Sequence, residues 1–366
     1  MNQDAWLSPP LVIPAPWLPV GSGGGTVKAV PDDFVVEEIP AYPASGEGDF
    51  LYLWVEKVDI SGPALARVVA ERLDLPRGEV GMAGMKDRHA RTRQWLSVPA
   101  SVARPEAIDG EWGGTGQIRL LDVRRHGNKL KTGHLRGNAF RIRVRDRDPA
   151  GDAAVAEALA AASARGFPNA FGAQRFADGR TIERGLRLLG GRGGGPPRLK
   201  RLAASAVQSA FFNHWLAARA ADGLLATAVA GDVLTKRESG GVFVCEDPAV
   251  DTPRLEDELV ASGPLPGSRP SRAKGDALER EGAIHALLDT PPEAFGALGR
   301  LGRGARRAAL AFPTDTSVER DDDGLVLSFT LPSGSYATVL LSLLLGPEHT
   351  VGADDELDTE GAGGPG

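Results

Sequence analysis

Asp87 is the acidic residue whose neighbours point most directly to chemistry. It lies in the segment Gly84–Gln94, which also contains Lys86, Arg88, His89 and two further arginines. Nearby positive charge favours the ionised form of a carboxylate, and the same cations can bind a polyanion. Asp is also a common turn residue. The segment alone therefore predicts either a simple turn or a carboxylate that acts on a phosphate-rich substrate.

Basic residues are concentrated around this segment, although the whole chain has a formal net charge of −6. Residues 81–147 contain 15 Lys and Arg but only 6 Asp and Glu. Lys129, Lys131 and Arg136 lie in the loop that precedes Phe140. A basic region on an acidic chain can form a phosphate-binding face. The charge count is equally compatible with a solvated surface.

Hydrophobic patterns predict the elements that position these residues. In Ala139–Arg145, apolar residues alternate with arginines, which predicts a strand with one buried and one cationic face. Ser61 is a candidate cap for a helix that ends before Pro76. We also expect strands at 94–98 and 117–125, a helix at 303–310 and an extended segment at 1–31.

Composition limits the class of protein. The 366 residues favour two domains, and 42% hydrophobic with 25% charged residues is ordinary for a globular protein. No apolar run approaches the roughly 20 residues that span a bilayer. Cys245 is the single cysteine, and the six histidines are scattered, so neither a disulfide nor a structural zinc site is expected. A cytoplasmic protein without a membrane span, metal or cofactor is the expectation.

Four ordered segments resemble the TruD family of tRNA pseudouridine synthases. The resemblance covers about residues 24–345, with weaker support from 331–338. The segments are Asp33–Glu38 after Lys28, the Asp87 segment with its Gly-x-Lys-Asp-x-x-Ala-x-Thr-x-Gln pattern, Lys129–Phe140 with its Gly-Asn-x-Phe ending, and Gly166–Phe176.

The resemblance implies an α+β fold, with a pseudouridine synthase catalytic domain that has a mixed, mostly antiparallel sheet. That domain would comprise residues 24–165 and 312–346, with an inserted α/β TRUD domain at 167–311 and a disordered tail at 352–366. The implied reaction converts uridine to pseudouridine in tRNA, with uridine 13 as the expected target and Asp87 as the catalytic residue. Neither a cofactor nor a metal is implied.

Several residues are candidates for RNA contact. Lys28 would pair with Asp87 or bind the adjacent phosphate, or else be a surface lysine. The resemblance implies that Asn138 pairs with the uracil edge and that Phe140 stacks on the flipped base, whereas alternation alone favours Phe140 as core. Tyr336 departs from the family's usual Phe but can still stack. The full set is Lys28, Lys86, Arg88, His89, Lys129, Lys131, Asn138, Phe140, Arg175 and Tyr336.

Two other functions fit parts of this pattern. The first is a catalytically silent RNA-binding protein that uses a cleft formed by the same basic region, which the retention of Asp87 within its full motif disfavours. The second is an acid–base hydrolase of RNA, which a histidine pair or a metal-binding carboxylate cluster would support. The sequence shows neither of these features.

Overall fold

The computed structural model describes residues 1–114, 116–269, 272–346 and 349–351, so the predicted tail at 352–366 lies outside the described residues. The helices are α1 (Gln3–Leu7), α2 (Gly62–Arg72), α3 (Asp152–Arg165), α4 (Arg180–Leu189), α5 (Pro197–Ala221), α6 (Pro248–Arg254), α7 (Gly275–Leu287) and α8 (Ala337–Leu345). The strands are β1 (Thr26–Val27), β2 (Phe34–Pro40), β3 (Phe50–Val58), β4 (Gly81–Met82), β5 (Arg91–Pro99), β6 (Gly110–Trp112), β7 (Gly116–His126), β8 (Leu135–Arg145), β9 (Phe167–Pro168), β10 (Val233–Lys236), β11 (Val242–Val244), β12 (Leu259–Leu265), β13 (Ala305–Ala308), β14 (Leu310–Ala311), β15 (Thr314–Asp321), β16 (Gly324–Pro332) and β17 (Thr350–Val351).

The described chain divides into two compact units. One, here called the sheet unit, comprises Gly21–Ala160, Pro313–Gly334 and the described residues from Leu345 on. The other, here called the helical unit, comprises Met1–Val20, Ala161–Phe312 and Ser335–Leu344. The assignment of residues 24–165 and 312–346 to a catalytic domain, and of residues 167–311 to a TRUD domain, stays a prediction.

The sheet unit is built on one large sheet. Its main path runs β15-β16-β8-β2-β5-β3-β7-β6, with β1, β4 and β17 attached at its sides. Among the described strands, β2 with β5 and β1 with β17 pair in parallel, and the other pairs are antiparallel. The expected α+β fold with a mixed, mostly antiparallel sheet is therefore confirmed.

Helix α2 covers part of one face of this sheet. It begins at Ser61 as predicted, because the Ser61 hydroxyl accepts a hydrogen bond from the Ala64 amide. Its residues Leu65, Val68 and Val69 pack with buried residues of β3 and β5. This apolar packing fixes both strands, and β5 begins directly after the Asp87 segment.

The helical unit combines long helices with a four-stranded antiparallel sheet of order β11-β10-β12-β13. Helix α5 packs against β12 at Gly263, where a Cβ atom would lie 2.1 Å from the Trp215 ring. Among the described residues, no helix is both long and apolar enough to cross a membrane. Cys245 is buried, and burial raises the pKa of its thiol to about 12.

Two predicted elements are wrong. Residues 303–310 have helix-forming composition, but β13 pairs with β12 and β14 pairs with β9, so tertiary pairing overrides local propensity. The first residues are not simply extended either. Helix α1 places Trp6 in the core of the helical unit, where its indole N–H donates to Thr290 Oγ1 at 3.1 Å.

Candidate active site

The segment that carries Asp87 connects the end of β4 to the start of β5, where β5 begins to pair with β2. These two parallel strands are in register from Val35 with Arg91 to Glu37 with Arg93, and β4 then pairs with β5. The Asp87 side chain is 26% exposed, so its carboxylate can meet a substrate while its neighbours stay covered.

Lys28 holds the Asp87 carboxylate. Its Nζ donates to Asp87 Oδ2 at 3.0 Å, and its side chain is only 5% exposed. The Lys28 backbone has φ +58°, a left-handed conformation that is uncommon for lysine. Such a conformation costs about 1–3 kcal/mol and persists only where the surroundings impose it. This buried, strained lysine is therefore an internal partner of Asp87.

Two more lysines support the loop from inside. Lys57 on β3 is fully buried and donates through Nζ to the main-chain carbonyl of Asp87. Lys86 Nζ donates to Glu38 Oε2 at 2.7 Å, and Glu38 Oε1 accepts from the Trp95 amide at 3.3 Å. Buried charges are stable only when they are paired or hydrogen-bonded. These contacts consequently fix the backbone on both sides of the Asp87 side chain.

Aromatic rings line the sheet beside this pair. The Lys28 ammonium lies 4.4 Å from the centre of the Phe34 ring. Phe140 lies edge-on to Phe34 at 6.0 Å and is stacked with Phe329 at 5.4 Å. Phe34 and Phe329 are buried, whereas Phe140 is only half-buried. Phe140 is therefore the ring of this row that stays partly exposed, and it packs on the buried rings of Phe34 and Phe329.

Asn138 presents an amide next to these rings. Strand pairing sets it opposite Glu38 on one side and Leu331 on the other, two residues from Phe140 on the same face. Its Oδ1 atom is buried and has no hydrogen-bond partner among the described residues. An unsatisfied buried acceptor is costly, and a ligand with an N–H donor would satisfy it.

The chain matches the family model "tRNA pseudouridine synthase D (TruD)" over residues 20–192 and 195–343. The chain belongs to the TruD family. It is 44% identical to the tRNA pseudouridine synthase D of Anaeromyxobacter sp. strain Fw109-5, over 88% of this chain and 93% of that protein. It is 40% identical to an enzyme of the same name from Thermus thermophilus, over 93% of this chain and 92% of that protein.

A solved TruD fold is also similar. The crystal structure of a Methanosarcina mazei protein, described as a candidate tRNA pseudouridine synthase D, superimposes with a TM-score of 0.67. It covers 89% of this chain and 94% of that one at 22% identity, so this likeness supports the fold alone.

The positively charged side chains predicted to contact RNA differ in their burial and in their partners. Lys86 is buried against Glu38, whereas Arg88 is half exposed and its Nε lies 3.9 Å from Asp59 Oδ1. His89 Nδ1 lies 3.5 Å from the same carboxylate oxygen. Lys129 donates to the Gly78 carbonyl, and Lys131 is exposed. Contact of each of these side chains with RNA stays a prediction.

The arginine face of β8 is not a free cationic surface. Arg145 donates twice to the fully buried Asp33 carboxylate, through Nε and Nη2 at 2.7 Å each. Arg143 pairs with Asp321, which raises the pKa of Arg143 and lowers the pKa of Asp321. Arg91 and Arg93 share Glu56. Carboxylates from distant parts of the sequence thus neutralise Arg143 and Arg145, whereas Arg141 on the same face is exposed, and the predicted basic region is largely a network of ion pairs.

Arg175 and Tyr336 belong to the helical unit. Arg175 Nε donates to Ser209 Oγ at 3.3 Å, and the Phe171 ring contacts Tyr336 edge-on at 5.8 Å. Arg307 lies over Phe171 at 4.0 Å and donates to Asn169 Oδ1 at 2.6 Å, and burial lowers its pKa to about 10. Arg175 and Tyr336 therefore both lie against the Phe171 ring, within the helical unit.

Sequence analysis missed two residues of the Asp87 site. Phe34 was included only within the Asp33–Glu38 segment of the resemblance, and Lys57 was not singled out. Lys57 continues the alternation of Leu51, Leu53 and Val55 on the inward face of β3. A lysine at an inward strand position signals a buried charge, which was the available clue, whereas its register with Thr92 of the motif became visible only in the structure.

Proposed function

We propose that this chain isomerises uridine to pseudouridine in tRNA, at uridine 13, with Asp87 as the catalytic carboxylate. The observation that carries the proposal is the partly exposed Asp87 carboxylate, fixed by buried Lys28 beside the row of Phe34, Phe140 and Phe329. Membership of the TruD family supports the choice of reaction and substrate.

The reaction needs a base that has left its stack, because the ribose–uracil bond is inaccessible in a helix. Phe140 would stack on the extruded uracil, and the Asn138 amide oxygen would accept a hydrogen bond from uracil N3–H. Both contacts use groups that lie on one face of β8. Together they would hold the ring while it is detached and turned.

Asp87 would act on the held nucleotide. The N1–C1′ bond breaks, the uracil turns and a C5–C1′ bond forms, while C5 loses a proton and N1 gains one. Attack at C1′, attack on the base, and proton abstraction from C2′ each require an ionised carboxylate at this place. Lys28 would orient the carboxylate for whichever of these steps occurs.

Mapping of pseudouridine tests this function directly. tRNA from cells with and without the gene for this chain should differ by one pseudouridine, at position 13. Purified protein added to the unmodified tRNA should restore that residue and release one tritium per site from 5-tritiated uridine. Unchanged pseudouridine in the deleted cells, together with no tritium release in vitro, would exclude the proposed activity.

A further inference from the structure

The helical unit carries a second concentration of positive charge, on helices α4 and α5 and the glycine-rich loop between them. Residues 180–201 contain seven Lys and Arg and one acidic residue, Glu183. Six of these cations are exposed, and Lys200 is half-buried. In the described part of the chain, none of the seven lies within 4.0 Å of a carboxylate oxygen. We call Arg184, Arg187, Arg198, Lys200 and Arg201 the hairpin patch.

Three residues of the hairpin patch line a concavity. A cavity of about 220 Å³ lies between the two helices, with Arg184, Arg187 and Lys200 among its lining residues. Leu188, Leu199 and Ala203 provide apolar lining, and residues 193–195 form another wall. A side chain at Gly193 would collide with Leu188, since its Cβ would lie 1.9 Å from Leu188 Cδ2. Glycine at 193 therefore allows the loop to pack directly against Leu188 at this cavity.

A cluster of neighbouring cations without carboxylate partners indicates a ligand. By contrast, four arginines of the large sheet, Arg91, Arg93, Arg143 and Arg145, each have carboxylate partners within the fold. The hairpin patch contains five cations without such partners, and their mutual repulsion disfavours the folded state. Arginines that converge on a concave surface match the geometry of phosphate oxygens, which they can bind in pairs of hydrogen bonds.

We propose that the hairpin patch binds backbone phosphates of the tRNA, as an anchoring site that shares no residue with the Asp87 site. The inference rests on the proposed function for its choice of RNA. Phosphate contacts of this kind carry no sequence information and position the nucleic acid. The patch supplies binding and Asp87 supplies chemistry, so the two can be tested separately.

The test uses Asp87→Asn protein, so that binding is measured without turnover. In this background, Arg184→Gln, Arg187→Gln and Lys200→Gln are combined, and the Kd for tRNA is measured between 50 and 300 mM KCl. Three lost phosphate contacts should lower the slope of log Kd against log salt by about 2–3. At about 150 mM salt, binding should weaken at least about tenfold. An unchanged slope would overturn the proposal.

A matched control removes the same charge elsewhere. Arg104, Arg254 and Arg280 are paired with Glu106, Glu258 and Asp222 respectively. Replacing these three by Gln should leave the salt slope within about 0.5 of the parent protein. An equal loss of slope in this control would show that only net charge matters and would also overturn the proposal.

Lys200 offers a measurement that needs no variant. Brief acetylation of the native protein, read by mass spectrometry, should modify Lys200 readily in free protein and severalfold more slowly with saturating tRNA. Equal acetylation with and without tRNA would contradict the proposal, as would slower acetylation with anionic phosphatidylglycerol vesicles but not with tRNA. Tritium release by wild-type protein reports the proposed activity independently of all these readouts.

Discussion

Lys28 adopts a backbone conformation that few lysines accept, and its ammonium meets the Asp87 carboxylate at 3.0 Å. We predict that Lys28→Gln lowers kcat about tenfold to hundredfold, because a misdirected catalytic group commonly costs this much. The Kd for tRNA should change less than about threefold, since the Lys28 side chain is buried. Lys236→Gln, which removes an exposed lysine of β10, is the charge control and should keep wild-type turnover. Normal turnover in Lys28→Gln would exclude a positioning role.

Phe140 contacts both Phe34 and Phe329 yet stays half-buried, so it can serve the core and the substrate together. We predict that Phe140→Ala lowers the free energy of unfolding by about 2–3 kcal/mol, less than for a fully buried ring. It should also lower turnover about tenfold to hundredfold, because base–aromatic stacking contributes about 1–3 kcal/mol.

Phe140→Leu separates these two effects. Leucine keeps most of the apolar volume, so the melting temperature should stay near that of wild type while turnover falls as in Phe140→Ala. Thermal melts and initial rates at low temperature are the measurements. A Phe140→Leu protein with full activity would assign Phe140 to the core alone.

At the scale of elements, the arginine face of β8 stabilises the sheet. Asp33, which follows β1 in the chain, is fully buried. Its carboxylate forms an ion pair with Arg145, whose side chain is 28% exposed. We predict that Arg145→Gln costs about 2–3 kcal/mol of unfolding free energy, below the usual cost of breaking a fully buried pair because solvent screens this one. Urea denaturation measures the loss. The salt slope of tRNA binding should stay unchanged, and a reduced slope would instead return Arg145 to the RNA-binding surface.

Two histidines, buried His214 and half-buried His285, make the helical unit sensitive to acid. His214 on α5 donates through Nε2 to the Ala5 carbonyl, and His285 on α7 donates through Nδ1 to Thr290. Burial lowers the pKa of both side chains below the usual value of 6.5. The unfolded chain therefore binds protons near pH 6.5 while the folded chain does not. Stability is present above that pH and is lost as the pH falls through and below it.

We predict that the melting temperature falls between pH 7.5 and pH 5.5, and that it falls less in His214→Gln. Differential scanning calorimetry at constant ionic strength measures both proteins. Glutamine keeps a side-chain donor but cannot be protonated, which makes it a suitable replacement. An equal fall in the two proteins would show that other groups dominate the acid response.

At the scale of the whole molecule, short sequence patterns predicted the features that depend only on residues close together in the chain. The Ser61 cap, the alternation in β8 and the Asp87 segment are local, and each could be read from a few residues. The partners of the arginines could not be predicted, because Asp33, Glu56 and Asp321 come from separate parts of the chain. A count of charges in residues 81–147 therefore left a phosphate-binding face and a solvated surface equally open, whereas the fold pairs most of these cations with carboxylates.

Dependence on distant parts of the chain also explains why Lys57 was not predicted as a site residue and why the helix predicted at 303–310 is wrong. Lys57 contacts the Asp87 carbonyl across 30 positions of sequence, a contact that needs β3 and β5 to be paired first. Residues 305–308 became a strand because β12 offers them an edge. The family resemblance predicted Asp87, Asn138 and Phe140 as site residues, and the contacts that hold them became visible only in three dimensions.

The most direct test compares wild-type protein with Asp87→Asn on one prefolded, unmodified tRNA. The asparagine keeps the size of the side chain but can act neither as nucleophile nor as base. We expect wild-type protein to form one pseudouridine, at position 13, and Asp87→Asn to form it at least about a thousandfold more slowly. The Kd for tRNA should agree within about twofold. Asp32→Asn, an exposed carboxylate whose partner Arg91 keeps Glu56, is the matched control and should keep full turnover. Turnover near wild type in Asp87→Asn would contradict the catalytic assignment.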